Sequence, residues 1–172
     1  METEKMTIAK ALKFSRHDFL NELQLILLNI DLGKWPEAKN ALLSATDKMQ
    51  QVSKLEKLRM PATELWISTF DWVHTVFSKT LHCDIIVGKR LADDEKVAQM
   101  LEQAVSDITR AVDPFHEYMM EIQVNATESE WEIRLNLKGP IIDKRPTEKI
   151  EGNFAIHESI DSEQWTFMVS GR

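Results

Sequence analysis

Glycine is scarce in this 172-residue chain, with five residues in all, at positions 33, 88, 139, 152 and 171. Loops that close their backbone over phosphates are built on glycine, so the usual phosphate cradles have little material here. Neither a Walker glycine loop nor a dinucleotide fingerprint occurs. The single cysteine, Cys83, excludes an internal disulfide and a Cys-x-x-Cys pair, and fits a reducing compartment. The five histidines (17, 74, 82, 116 and 157) lack metal-ligand spacing and form no His-Glu-x-x-His motif. No serine sits in a nucleophile elbow. The most apolar stretch, residues 23–30, is broken by Gln24 and Asn29 and is too short to span a bilayer. The first five residues are charged and lack a signal-peptide core, so a soluble cytoplasmic protein is expected. A net charge of −7 argues against general nucleic-acid binding.

What is present is helical periodicity. Residues 3–32 contain no glycine or proline, and Ile8, Leu12, Phe19, Leu23, Ile26 and Ile30 recur at helical spacing. Gly33 ends this helix and Pro36 suits the first turn of a second, over 36–58, so the two run antiparallel. The second helix carries a coiled-coil-like seam of Ala38, Leu42, Ala45, Met49, Val52 and Leu55. Two helices alone bury too little surface, whereas two hairpins make a four-helix bundle, so a homodimer is expected. The rival is a hairpin packed on the rest of its own chain.

Pro61 marks a boundary between a hairpin domain, 1–60, and a second domain, 61–172. The second should begin with an aromatic-rich helix over 62–80, followed by a short strand over 83–88. Asp93 and Asp94 then look like the N-cap of a helix running to about 112, stopped by Pro114. Alternation at Tyr118, Met120, Ile122 and Val124, and at Trp131, Ile133, Leu135 and Leu137, predicts a hairpin of strands. A second pair is expected at 153–157 and 164–169, after an irregular stretch over 139–152. The fold class is α+β, with helices on one face of a small sheet.

His17 stands apart by its place on the first helix. At about 100° per residue it lies roughly 140° from the centre of the apolar stripe, pointing away from the bundle. Lys10, Lys13 and Phe14 precede it on that outward face, and Asn21, Gln24 and Leu28 follow, with Leu25 beside them. A local positive strip in an acidic protein, next to apolar side chains, is a docking surface for an acidic partner. A neutral imidazole offers a nucleophilic ring nitrogen, and attack on phosphorus gives a phosphoramidate that can pass its phosphoryl group to a carboxylate. Asp18, or another acceptor, would orient the second ring nitrogen. By itself, an exposed helical histidine is most often only a solvated residue.

The string Ser15-Arg16-His17-Asp18-Phe19-Leu20-Asn21-Glu22-Leu23-Gln24-Leu25-Ile26 resembles the phosphoacceptor box of the sporulation initiation phosphotransferase B family. Similarity continues through Asn29, Leu32, Lys34 and the turn, and returns at Ser53-Lys54-Leu55 and Phe70-Asp71-Trp72. About the first 75 residues carry it; beyond them only the layout agrees. The resemblance implies a phosphorelay phosphotransferase in sporulation signalling, with His17 as phosphoacceptor, Asp18 and Asn21 beside it, and a dimeric four-helix bundle. Arg16 joins Lys10, Lys13, Phe14, Gln24, Leu25 and Leu28 as the docking set. Its implied partners are a single-domain response regulator as donor, with Mg2+ in that partner, and a DNA-binding regulator as acceptor.

The resemblance also implies a C-terminal domain similar to a histidine-kinase ATPase domain that has lost nucleotide binding. The residues agree: the helix reads Glu102-Gln103-Ala104-Val105-Ser106-Asp107 where such a domain carries an asparagine for magnesium, and no Asp-x-Gly-x-Gly follows. The expectation is therefore a relay without ATP, bound metal or autokinase activity. Two alternatives stay open: a remnant or partner-dependent sensor kinase, and a non-enzymatic dimeric adaptor that docks a regulator.

Overall fold

The computed structural model describes residues 7–142 and 145–172. Residues 3–6 of the first predicted helix, and 143–144 of the irregular stretch, lie outside the described residues. The chain divides into two compact units, Met1–Gln50 and Gln51–Arg172.

The first unit is a helical hairpin. Helix α1 spans Ile8–Asp31, and its first turn is capped by Thr7, whose side chain accepts from the Lys10 amide at 3.2 Å. Gly33, at φ +69°, supplies the left-handed turn that lets the chain reverse. Helix α2 spans Trp35–Lys54. On α2 Ala38 is buried and Ala41 and Ala45 are half-buried, and on α1 Ile26 and Ile30 are half-buried. A Lys48–Glu22 ion pair at 2.7 Å clasps the hairpin. Leu42 and Met49, assigned to the same seam from sequence, are exposed in the single chain. No residue of α1 is buried.

The predicted second helix ends earlier than its periodicity implies. Residues Leu55–Leu58 tighten into a 3-10 turn closed by Arg59 at φ 57°, and Leu55 and Leu58 join the core of the second unit. Helix α3 follows over Pro61–Val73, with Pro61 in its first turn. It stops seven residues short of the expected end: the His74 amide bonds back to Phe70 as a C-cap, and Phe77 already belongs to strand β1, Phe77–Ile85. Phe77 satisfies both a helical spacing from Trp66 and Phe70 and a strand alternation with Leu81, Cys83 and Ile85. Pairing with a neighbouring strand decides between them.

Helix α4, Asp94–Thr109, opens on the Asp93 cap read from the sequence. Strands β2 (Tyr118–Ala126), β3 (Trp131–Lys138), β4 (Ala155–Ile160) and β5 (Gln164–Gly171) complete one sheet in the order β1-β2-β3-β5-β4. Among the described strands only the β1–β2 pair is parallel, and α4 is its crossover. Alternation places Leu81, Cys83, Ile122, Val124, Ile133, Leu135, Phe167 and Val169 in the core with Ile67, Phe70, Leu101, Val105 and Ile108 of α3 and α4. The opposite set, including Thr80, His82, Asn125, Arg134 and Asn136, is polar and partly exposed. The α+β class and the single-sided helical cover therefore hold.

Two polar clasps fix α3 to α4. Asp94 accepts from the Ala62 amide at 2.7 Å and from the Thr63 amide and hydroxyl at 2.9 and 2.6 Å. It thereby caps α3 from the start of α4, and Thr63 is fully buried. Removing this carboxylate in Asp94→Ala leaves buried donors without partners, and should lower unfolding free energy by about 2 kcal/mol in urea titration.

The second clasp is Glu102, which accepts from Trp66 Nε1 at 2.8 Å and pairs with His74 Nε2 at 3.0 Å. The hydrogen bond with His74 chiefly holds the Glu102 carboxyl below its ordinary value of 4.5; burial opposes this and Trp66 adds to it. A carboxyl lowered on folding contributes stability that is complete above its unfolded value and is lost as pH falls through the folded one. Thermal melts should thus show Tm falling more steeply below pH 4.5 in the wild type than in Glu102→Gln.

Candidate phosphoacceptor site on the helical hairpin

His17 lies in the third turn of α1, about 180° around the helix from Ile26 at 100° per residue. Its side chain is 70% exposed and that of Asp18 is 55% exposed. Asn21, one turn on, places its Nδ2 at 3.1 Å from His17 Nδ1. Asp18 Oδ1 is 3.6 Å from the same nitrogen. The structure thus brings together the three residues assigned to the chemistry, and both neighbours address one edge of the ring. Nε2 is on the other edge.

The residues expected from the sequence to dock a partner flank this centre. Lys10 lies on the same side of α1 in the first turn, and Lys13 and Gln24 are within about 40° of His17. Arg16 is displaced by about 100° and belongs to the margin of the face. Phe14, Leu25 and Leu28 are 37%, 49% and 54% exposed. They form an apolar flank running along α1, and Leu32, also exposed, continues it. A second exposed band, of Ile8, Leu12, Phe19, Leu23 and Leu27, lies on the other side of the helix. Between these bands the histidine occupies a polar strip. Apolar surface on both sides of one helix is more than a hairpin in water leaves bare without a use for it.

Other nucleophiles and metal sites are less suited. Cys83 is buried, and that burial pushes its thiol up to about 11, against the opposing pull of Lys54 and Lys79. Its amide donates to Gln51 Oε1 at 2.9 Å and its carbonyl accepts from Lys54 Nζ at 3.3 Å, a structural role on the β1 edge. No group of three His, Cys, Asp or Glu side chains that could hold a metal occurs among the described residues. Among them, too, no helix is long and apolar enough to cross a membrane.

Sequence reasoning missed the Trp66–Glu102–His74 clasp, because its members are 28 and 36 residues apart and share no motif. It also missed what surrounds the glycines after β3. A Cβ on Gly139 would stand 2.7 Å from the Tyr118 ring, and one on Gly152 would stand 2.3 Å from the Phe154 ring. Both glycines accommodate the protein's own aromatic side chains.

Residues 1–58 match the family model of the sensor kinase SpoOB-type alpha-helical domain. Among solved structures, the chain is similar to the histidine kinase AdeS of Acinetobacter baumannii, at 11% identity and a TM-score of 0.44 over 90% of this chain and 96% of that one. It is also similar to the catalytic domain of the histidine kinase ThkA, at 12% identity and 0.46 over 66% and 91%. A bacterial phosphotransferase gives 12% identity and 0.43 over 97% and 98%. At these identities and scores no residue correspondence follows. No curated protein sequence matches the chain.

Proposed function

We propose that this chain, whose first 58 residues match a SpoOB-type helical domain of the sensor-kinase class, is a phosphorelay phosphotransferase acting through His17. It takes a phosphoryl group from the aspartate of one response regulator and passes it to that of another. The carrying observation is the outward imidazole held at Nδ1 by Asn21, between a lysine strip and an apolar flank. Lys10 and Lys13 would attract an acidic regulator surface, and Phe14, Leu25 and Leu28 would give it an apolar seat. In-line transfer then needs only positioning and charge neutralisation, and magnesium bound in the regulator supplies the latter.

The band through Leu12, Phe19 and Leu23, with Leu42 and Met49 of α2, supports a homodimer. A second hairpin would cover it and close a four-helix bundle, leaving each His17 outside. Cytoplasmic residence and a part in sporulation belong to the same proposal.

The C-terminal unit is proposed to bind no ATP. In support, the segment after β3 is bonded down onto its own unit. Tyr118 donates to the Pro140 carbonyl at 2.6 Å, Ile142 bonds to Ala111, and Ile150 and Phe154 pack on the core. With Gly139 and Gly152 facing Tyr118 and Phe154, the glycines offer no cradle to a phosphate.

The test is transfer itself. A response regulator carrying labelled phosphate, mixed with the protein and magnesium, should give acid-labile label on the protein. That label should chase onto a second regulator. Label acquired from ATP alone would favour the sensor-kinase reading, and regulation without any label would favour the adaptor.

A further inference from the structure

At one end of the sheet, where β2 begins and β3 ends, three segments of the second unit are stapled together. The Tyr118 hydroxyl accepts from the Asp113 amide at 3.1 Å and donates to the Pro140 carbonyl at 2.6 Å. The Ile142 amide donates to the Ala111 carbonyl at 2.6 Å. The amides of Gly139 and Ile141 donate to the Glu163 and Ser162 carbonyls at 2.8 and 3.0 Å. The turn after α4, the segment after β3 and the β4–β5 turn thus form one platform.

Phe115 stands on that platform, 96% exposed. Its turn is closed twice: the His116 amide donates to the Asp113 carbonyl at 3.1 Å, and the Phe115 amide donates to the Asp113 carboxylate at 2.9 Å. Pro114 presets the backbone of the first central position. The turn is therefore ordered in advance, and its backbone has little entropy left to lose on meeting a partner. Met119 and Ile142, also exposed, belong to the stapled segments. An aromatic ring held out on a locked turn, with two more apolar side chains on the same platform, is the make-up of an interface anchor.

The charges around the ring choose the partner. Residues 110–119, 138–142 and 161–164 carry Asp113, Glu117, Asp161 and Glu163 against Arg110 and Lys138. Arg110 is already paired with Asp107 at 3.4 Å, which leaves the rim acidic. We propose that this platform docks a partner protein, with Phe115 entering an apolar pocket whose own rim carries lysine or arginine. The acidic rim disfavours an anionic membrane surface, and it disfavours a second platform of the same kind. The docking does not depend on transfer through His17.

The test uses the full chain in the cells that make it, with a photoreactive benzoyl group on the Phe115 ring. Irradiation should join that ring to a second protein, at apolar side chains flanked by lysine or arginine. Once purified, that protein should bind the wild type, with Kd rising as salt screens the rim. Phe115→Ser should weaken binding about tenfold, and Glu117→Lys about threefold. Leu91→Ser removes an exposed apolar side chain at the opposite end of the sheet, where the Leu91 amide bonds to Arg172, and should leave binding unchanged. All three side chains are exposed, so the variants should keep the wild-type circular dichroism. Joining to a second copy of this chain, to lipid or to no protein at all would overturn the proposal. So would a captured protein whose binding ignores Phe115→Ser or Glu117→Lys.

Discussion

His17→Ala should take no label from a phosphorylated response regulator, with transfer falling by more than about 10³-fold. The size of the effect follows from the proposed chemistry: the N–P bond would form on this ring, and alanine offers no nucleophile. His17 is exposed, and alanine is the best helix former, so the variant should keep the wild-type circular dichroism and oligomeric state. An unfolded variant would make the loss uninformative, and His17→Gln is the control that keeps bulk and polarity. Label on either variant equal to wild type would end the proposal.

The second expected effect separates the two apolar bands of α1. Leu28→Glu lies on the flank beside His17, and Leu23→Glu lies about 140° around the helix on the opposite band. A charge in the docking seat should cost about 2 kcal/mol of regulator binding, or roughly 30-fold in transfer at low regulator concentration. The proposed dimer should remain. Leu23→Glu should do the reverse, giving a monomer in analytical ultracentrifugation because it buries a charge in the bundle seam. If Leu28→Glu instead dissociated the protein, the flank would be a dimer surface and the docking face would be assigned wrongly.

Much of this architecture was legible in the residues. The hairpin follows from a glycine-free run ended by Gly33 and Pro36, and strands β2 and β3 follow from strict alternation at Tyr118–Val124 and Trp131–Leu137. Reading failed where one residue satisfied two periods. Phe77 extends the spacing of Trp66 and Phe70, so α3 is overrun, and the strand beginning at Phe77 is seen only from Cys83 on. Local pattern cannot decide such a case, since the deciding term is pairing with β2, more than thirty residues away.

The α2 seam shows a different blind spot. Heptad counting puts Ala38, Leu42, Ala45 and Met49 on one seam, yet in the single chain the alanines are covered while Leu42 and Met49 are exposed. At the site, periodicity placed His17 outward, and the spacing of four placed Asn21 on its face. Periodicity carries no information on which ring nitrogen that amide would meet; side-chain geometry supplied it.

The absence of any buried residue from α1 has a thermodynamic consequence. On the proposed dimer, the order of the helix that carries the phosphoacceptor is linked by mass action to association of the chains. Dilution would then lower the fraction of competent helix as well as the number of molecules, so relay output would rise faster than linearly with expression near the dissociation constant. Protein abundance would act as a threshold on the signal, set by the leucines of a helix that cannot cover itself.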